Sequence, residues 1–306
     1  MSALSHLSKY LHLPSTPEDL LQAQRLFHGR GRAYPGLNHV TVDWLPPVAL
    51  ITLFASEKRE DVERVADELL ALIPHCKSVQ LQLRYQLAGP VDVIRGEVID
   101  QLVIQEQDLK FYLRLGQAKN TGLFLDMKNG RQWVQAHSKD QRVLNLFAYT
   151  CGFSVAAIAG QAKSVLNVDM SSSALTVGRE NHRLNQQSLE AVRFEKLNIF
   201  KSFSRFKKRG PFDLLICDPP TLQKGSVDII KDYPKICRHL DEFMAANSRL
   251  LLCLNAPELG RDFLINHLAE CAPNYQLDEE IKPPEAYLDV EDKGLKVLCF
   301  KRVCND

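Results

Sequence analysis

Two carboxylates in this 306-residue sequence stand directly after short apolar runs. Asp169 follows Val165-Leu-Asn-Val168, and Asp218 follows Phe212-Asp-Leu-Leu-Ile-Cys217 and leads into Pro219-Pro220-Thr221. In open α/β sheets ligands bind outside the carboxyl ends of the strands, so an acid at a strand tip is placed to accept from a ligand's hydroxyl or amino groups. Two consecutive prolines fix φ and remove two backbone donors, which leaves rigid carbonyl acceptors beside the Asp218 carboxylate. Such a corner suits a planar, amino-bearing ring such as a nucleobase; its plain alternative is a device that stops the strand. Asn198 and Asn255 follow two further expected strands, 191–197 and 249–254. Asn198 fits an adenine amino group and an ordinary turn equally well.

These residues need strands and crossover helices to hold them. Val143, Leu144, Leu146 and Phe147 read as a strand buried on both faces. Tyr149 to Gly152 is a tight turn, Phe153 to Gly160 a short helix, and 164–168 a second strand ending on Asp169. This βαβ unit is the arrangement that holds an adenosine. A dinucleotide site wants Gly-x-Gly-x-x-Gly, so that bare backbone meets a pyrophosphate. Here only Gly152 remains, with Phe147, Tyr149 and Cys151 where further glycines would sit. The turn is therefore not built for phosphate. An acid at the second tip can instead take both ribose hydroxyls of a phosphate-free ligand, of which S-adenosylmethionine is the common one. The bland alternative is that Asp169 only caps the next helix.

Ahead of this unit the sequence predicts a smaller α+β domain over residues 1–115, with the larger domain over 116–306. Its elements are a capped helix through Leu20–Phe27, a hairpin-like pair around Pro46-Pro47, an amphipathic helix from Glu57 to Ile73, and a half-buried strand from Val79 to Tyr85. Gly29-Arg-Gly-Arg reads as flexible and basic, and Arg25, His28, Arg30 and Arg32 form a patch. Beyond residue 170 come a helix capped by Ser171–Ser173, strands at 191–197, 212–217, 249–254 and 295–301, and helices at 235–246 and 262–271. That alternation predicts a doubly wound parallel sheet.

Composition bounds the partners. A net charge of +1 announces no whole-molecule field for nucleic acid, although local patches can still bind it. The eight cysteines show no metal spacing, and several lie inside apolar runs. No apolar run approaches the roughly 18 residues that span a bilayer, and Met1-Ser-Ala-Leu lacks a secretory start. A cytoplasmic protein with no metal and no membrane partner is expected; no oligomeric state follows from the residues.

Leu144-Asn-Leu-Phe-Ala-Tyr-Thr150 with Gly152, Val168-Asp-Met-Ser171, Asn181-x-Arg183-Leu-Asn185, Thr121-Gly-Leu-Phe-Leu-Asp126 and Asp218-Pro-Pro-Thr221 together resemble the class I methyltransferases of bacterial large-subunit (23S) ribosomal RNA, the group of methyltransferases I and K. The likeness covers residues 37–303 in layout and is specific over 120–260. It implies a Rossmann-like methyltransferase fold, S-adenosylmethionine as donor, RNA as partner and a small α+β domain that helps hold it. By the same likeness Asp169 is the ribose acid, with Met170 beside it. Asn145, Phe147, Tyr149, Thr150 and Gly152 make the first cofactor turn, Asn198 the adenine side, and Asp218 to Thr221 the base side. Lys128 and Arg131 answer to the family's basic residues. Set against the family, no PUA domain like that of the cytosine-C5 branch is expected, and the sequence carries Leu222 for an aromatic and Lys128 for an arginine.

Carbon-5 of cytosine needs a cysteine adduct before it can be methylated. In the cytosine branch that cysteine lies just past the fifth strand, where this sequence has Asn255, with Cys253 two residues earlier. Cys253 and Cys217 read as core thiols. The Asp-Pro-Pro-Thr form with Asn255 resembles the guanine-N7 branch, so nitrogen methylation of an RNA base is expected. Cytosine-C5 methylation through Cys253, a non-catalytic RNA-binding protein on the same scaffold, and methylation of a protein or small molecule are the alternatives.

Overall fold

Strands that are apolar on both faces must be covered on both faces. The computed structural model, which describes residues 3–220, 222–223 and 227–303, contains two such sheets in two compact units. The first unit runs to Asp126 and takes back Pro284–Asp292; the second holds Met127–Pro283 and resumes at Lys293. The sequence divided the chain after residue 115, whereas the backbone divides it after Asp126 and returns nine later residues to the first unit.

The first unit opens with α1 (Pro17–Leu21), held by a capping box in which Asp19 N–H donates to Thr16 Oγ1 and Thr16 N–H to the Asp19 carboxylate, each 3.1 Å. The helix expected through Phe27 stops there. Gln24–His28 is strand β1, because Leu26 and Phe27 are buried and the segment pairs with β2 (Val40–Leu45). Then follow β3 (Val48–Leu53), α2 (Arg59–Leu72), β4 (Ser78–Leu83) and β5 (Val91–Gly96). The sheet has the order β1-β2-β3-β4-β5, parallel only between β3 and β4, and Val62, Val65, Ala66 and Leu69 of α2 join its core. Strand β4 is buried from Ser78 to Gln82, more fully than the half-buried strand expected there. Its glutamines go inside because their amides donate to backbone carbonyls, Gln80 to Ile99 (2.6 Å) and Gln82 to Lys119 (3.0 Å). A separate antiparallel pair, β6 (Gln101–Glu106) and β7 (Leu109–Arg114), completes the unit's strands.

The second unit alternates helix and strand: α3 (Lys128–His137), β8 (Arg142–Leu146), α4 (Gly152–Ala159), β9 (Ser164–Asp169), α5 (Ser172–Leu184), β10 (Val192–Lys196), α6 (Phe203–Arg209) and β11 (Phe212–Cys217). A ribbon of β12 (Leu222–Gln223) and β13 (Val227–Asp228) precedes α7 (Ile229–Arg238), α8 (Leu240–Phe243), β14 (Met244–Leu254), α9 (Asp262–Cys271), β15 (Tyr275–Ile281) and β16 (Lys296–Arg302). The helix expected over 235–246 thus begins and ends earlier, and Met244 already starts a strand. The seven-stranded sheet has the order β10-β9-β8-β11-β14-β16-β15. Its first five strands are parallel; β16 runs antiparallel to β14, and the unforeseen edge strand β15 antiparallel to β16. This is the Rossmann-like doubly wound fold.

One polar chain crosses the core of this unit. Asn145 on β8 and Asn167 on β9 are register partners, and Asn145 Nδ2 donates to Asn167 Oδ1 (2.9 Å). Asn167 Nδ2 donates to Ser154 Oγ (2.9 Å), and Ser154 Oγ meets His182 Nε2 (2.9 Å). Gln187 Nε2 donates to Val155 O, so Gln187 Oε1 must accept from His182 Nδ1 (2.7 Å). His182 Nε2 is then an acceptor, and every donor in the chain points the same way. Asn145, Ser154, Asn167 and His182 are all buried, and burial drives the imidazole down to about 4 while its bond to Gln187 pulls it back.

The native histidine titrates below its unfolded value of about 6.5, so the unfolded chain takes the proton first. Its contribution is complete above that value and is lost as pH falls toward 4, by about 3 kcal/mol in total. Urea unfolding of the wild type against His182→Gln should show a stability gap that narrows across that window.

Candidate functional site

The strand order places five tips side by side along the carboxyl edge: Asn198 after β10, Asp169 ending β9, residues 147–151 after β8, Asp218 after β11 and Asn255 after β14. At about 4.8 Å per strand this row is roughly 20 Å long. Lys128 and Arg131 lie in the first turn of α3. Four residues separate that helix from β8, which turns its start toward the same edge. The Arg131 side chain is buried rather than presented to solvent.

The turn after β8 is tighter than its sequence suggests. Phe147, Tyr149 and Cys151 take φ of 57°, 46° and 63°, the left-handed conformation that favours glycine. Ala148 and Thr150 between them are buried, while Phe147 and Tyr149 stay half-buried. Four hydrogen bonds hold the strain: Ala148 N–H to Val168 O (3.1 Å), Cys151 N–H to Ala148 O (2.7 Å), Asn181 Nδ2 to Thr150 O (2.9 Å) and Tyr149 N–H to Asp169 Oδ2 (2.8 Å). A Cβ on Gly178 would lie 2.4 Å from Cys151 Sγ, so only glycine lets α5 pass this close. Gly152 is the first residue of α4 and not one of the strained positions.

Asp169 joins the turn to the next helix. Its Oδ1 accepts from Ser171 N–H (2.7 Å), and Ser171 in turn caps α5 through Ala174 N–H (3.2 Å). The bland reading of Asp169 is thus realised in part, yet the carboxylate is half-buried and uses two of its roughly four acceptor positions. The pair that remains suits two vicinal hydroxyls. Met170 beside it leaves an apolar side chain 50% exposed, a surface for a flat ring. Asn198 Oδ1 accepts from Phe200 N–H (3.0 Å) and so acts as a turn cap, and the Phe147 and Phe200 rings lie 6.2 Å apart. Asn145, by contrast, is committed to the buried polar chain. The edge therefore fits an adenosine with a free ribose better than a pyrophosphate.

On the other side of the turn, Asp218 is half-buried, Pro219 buried and Pro220 exposed, and Asn255 is exposed. Thr221 lies outside the described residues, as does the side chain of Leu222. Cys217 and Cys253 are fully buried on opposite faces of the sheet, Cys217 with Leu144 and Leu215, and Cys253 with Trp133, Val143 and Val297. Burial pushes the Cys217 thiol well above its ordinary range. Among the described residues no group of His, Cys, Asp and Glu could hold a metal ion.

A residue that the sequence did not single out organises this half. Tyr233 of α7 is buried, and its hydroxyl donates to both Cys217 O (3.1 Å) and Cys253 O (2.9 Å). Cys217 is the last residue of β11 and Cys253 the last but one of β14, the strands that present Asp218 and Asn255. Burial holds the phenol well above its usual pKa, so the donor proton stays.

Residues 24–301 match the family model of S-adenosylmethionine-dependent methyltransferases. The chain belongs to that family. Curated relatives include the ribosomal RNA large subunit methyltransferase I of Tolumonas auensis, 33% identical over 69% of this chain and 54% of its own length. The protein of the same name in Aeromonas salmonicida is 29% identical over the same shares. The chain thus spans about half the length of the curated relatives it matches. Among solved structures, a protein assigned as a methyltransferase and complexed with SAH superposes with a TM-score of 0.80 at 23% identity, over 92% of this chain and 76% of its own. A tRNA m1G37 methyltransferase of M. jannaschii superposes at 0.61 and 14% identity, over 86% and 72%. At these identities the structures speak for the fold. S-adenosylmethionine is the donor of this family.

Tyr233→Phe removes one buried donor from two strand ends at constant volume. It should lower stability to urea by about 1–3 kcal/mol.

Proposed function

We propose that this chain methylates a ring nitrogen of an RNA base, with N7 of a guanine in 23S ribosomal RNA as the leading site. The observation that carries the choice of nitrogen is the complete burial of Cys253 in an apolar cluster, two residues short of the exposed Asn255. Carbon-5 chemistry needs a thiolate that reaches the ring. A ring nitrogen already holds an in-plane lone pair and needs only alignment and exclusion of water.

The bound donor supplies an electrophilic methyl group on a sulfonium. The protein's part is to hold both partners. Asp169 takes the ribose hydroxyls with its two remaining acceptor positions, and Met170 offers its exposed side chain to the adenine. Asn198, its Oδ1 occupied by Phe200 N–H, has its amide nitrogen to offer to an adenine acceptor. The turn from Phe147 to Gly152 walls the donor in, with Arg131 and Lys128 behind it. The Asp218 carboxylate and the carbonyls of Pro219 and Pro220 accept from the amino-bearing edge of the target base, and Asn255 closes the far side. The first unit holds the RNA. A cytoplasmic setting fits the cysteines, since the seven in described positions are all free thiols.

Asp169→Ala should weaken S-adenosylmethionine binding by about 100-fold in titration calorimetry, the loss of hydrogen bonds to a charged acceptor. An unchanged affinity would remove the ribose role. Incubation of the protein with labelled donor and either 23S rRNA or tRNA, followed by nucleoside mass spectrometry, should yield an N-methylated purine from the ribosomal arm, undiminished by Cys253→Ala. 5-Methylcytidine that disappears in Cys253→Ala would overturn the nitrogen assignment.

A further inference from the structure

The basic cluster Arg25, His28, Arg30 and Arg32 comes apart in the structure. Arg25 turns inward and forks onto Asp43 at 2.5 and 3.2 Å, with the Tyr287 ring 4.7 Å from its guanidinium carbon. His28 Nδ1 accepts from Arg25 (2.7 Å), and burial, then Arg25 and Arg30, drive its imidazole down to about 3, so it carries no charge near neutrality. Arg32 pairs with Glu291 at 2.9 Å. Arg30 is what remains.

Arg30 does not sit on the flexible loop that its flanking glycines suggested. A Cβ on Gly29 would lie 1.8 Å from Leu37 O, and one on Gly31 1.7 Å from Leu288 O. The backbone is clamped on both sides of the arginine, which projects its side chain over Phe54, guanidinium carbon 4.3 Å from the ring centroid. A second guanidinium, Arg84, approaches the same ring at 5.9 Å. Strand register explains the pairing: Leu53 and Leu83 are partners at the ends of β3 and β4, so residues 54 and 84 emerge side by side, with Arg84 N–H donating to Leu53 O (2.8 Å).

Arg84 spends its hydrogen bonds on neutral acceptors, Lys119 O and Asn120 Oδ1. Among the described residues neither Arg30 nor Arg84 has a carboxylate partner. Burial, and then a neighbouring arginine in each case, lowers both guanidinium pKa values, the signature of uncompensated positive charge. Two forks held at one aromatic ring favour a ligand with repeated phosphates, and their planes offer stacking surfaces to unpaired bases.

We propose that Arg30 and Arg84, arranged around Phe54 in the first unit, form a subsite for the phosphate backbone of single-stranded or loop RNA. The proposal rests on RNA as the substrate class and adds the place where the strand is gripped. The test uses the full chain and a fluorescein-labelled mixed-sequence oligoribonucleotide, with fluorescence anisotropy recorded across a KCl series. Arg30→Gln with Arg84→Gln should weaken binding roughly tenfold at 0.1 M KCl and reduce the slope of log affinity against log salt by about 1.4, some 0.7 for each phosphate no longer neutralised. Arg30→Lys with Arg84→Lys should keep the slope while losing part of the affinity, because charge survives and the fork does not. S-adenosylmethionine affinity should be unaltered in both variants, which reports that they are folded. RNA binding with wild-type affinity and slope in the glutamine pair overturns the subsite and leaves RNA as the substrate class intact. No RNA binding by the wild type, or equal affinity for an acidic peptide at matched charge, overturns both.

Discussion

The Asp169 carboxylate is the fixed point of the second unit. One oxygen takes the N–H of Tyr149 and the other the N–H of Ser171, so a single side chain ties the turn after β8 to the start of α5. Three non-glycine residues in left-handed conformations would relax if that tie were absent. The strain is held in place because the acid at the tip of one parallel strand lies within reach of the turn that leaves its neighbour. A ligand that used the remaining acceptor positions would meet a carboxylate already oriented, with little left to order on binding.

Rigidity at the rest of the edge comes from below it. The one-way chain from Asn145 to Val155 O ties β8, β9, α4, α5 and Gln187 just after α5 together through five successive hydrogen bonds, and breaking one would strand buried polar groups. Tyr233 does the same for β11 and β14 with one hydroxyl. Polar groups that never face solvent therefore set where the exposed ones stand.

The sheet was legible because its central strands carry apolar residues on both faces, and the positions of Asp169 and Asp218 at strand tips followed from that. The turn conformation was less so: Phe147, Tyr149 and Cys151 read as a turn not built for phosphate, and nothing in their types announced the left-handed backbone they adopt, which hydrogen bonds from strand and helix hold against the local preference. Leu20–Phe27 carried an amphipathic pattern too short to separate helix from strand, and pairing with β2 decided it. The buried chain did leave a trace, two asparagines in matched places on adjacent apolar strands. Ser154, His182 and Tyr233 left none, since their partners are brought together only by the fold. Nor could charge counting separate Arg25, which is neutralised inside, from Arg30, which is not.

Residues 284–292 belong to the first unit although most of the second lies between them and Asp126. Tyr287 beneath Arg25, Leu288 against Gly31 and Glu291 on Arg32 all come from that late stretch. During synthesis the first unit is thus begun before the second and completed only after most of the second has been made. The half-buried Arg25 waits, without its aromatic neighbour, until Tyr287 has been made.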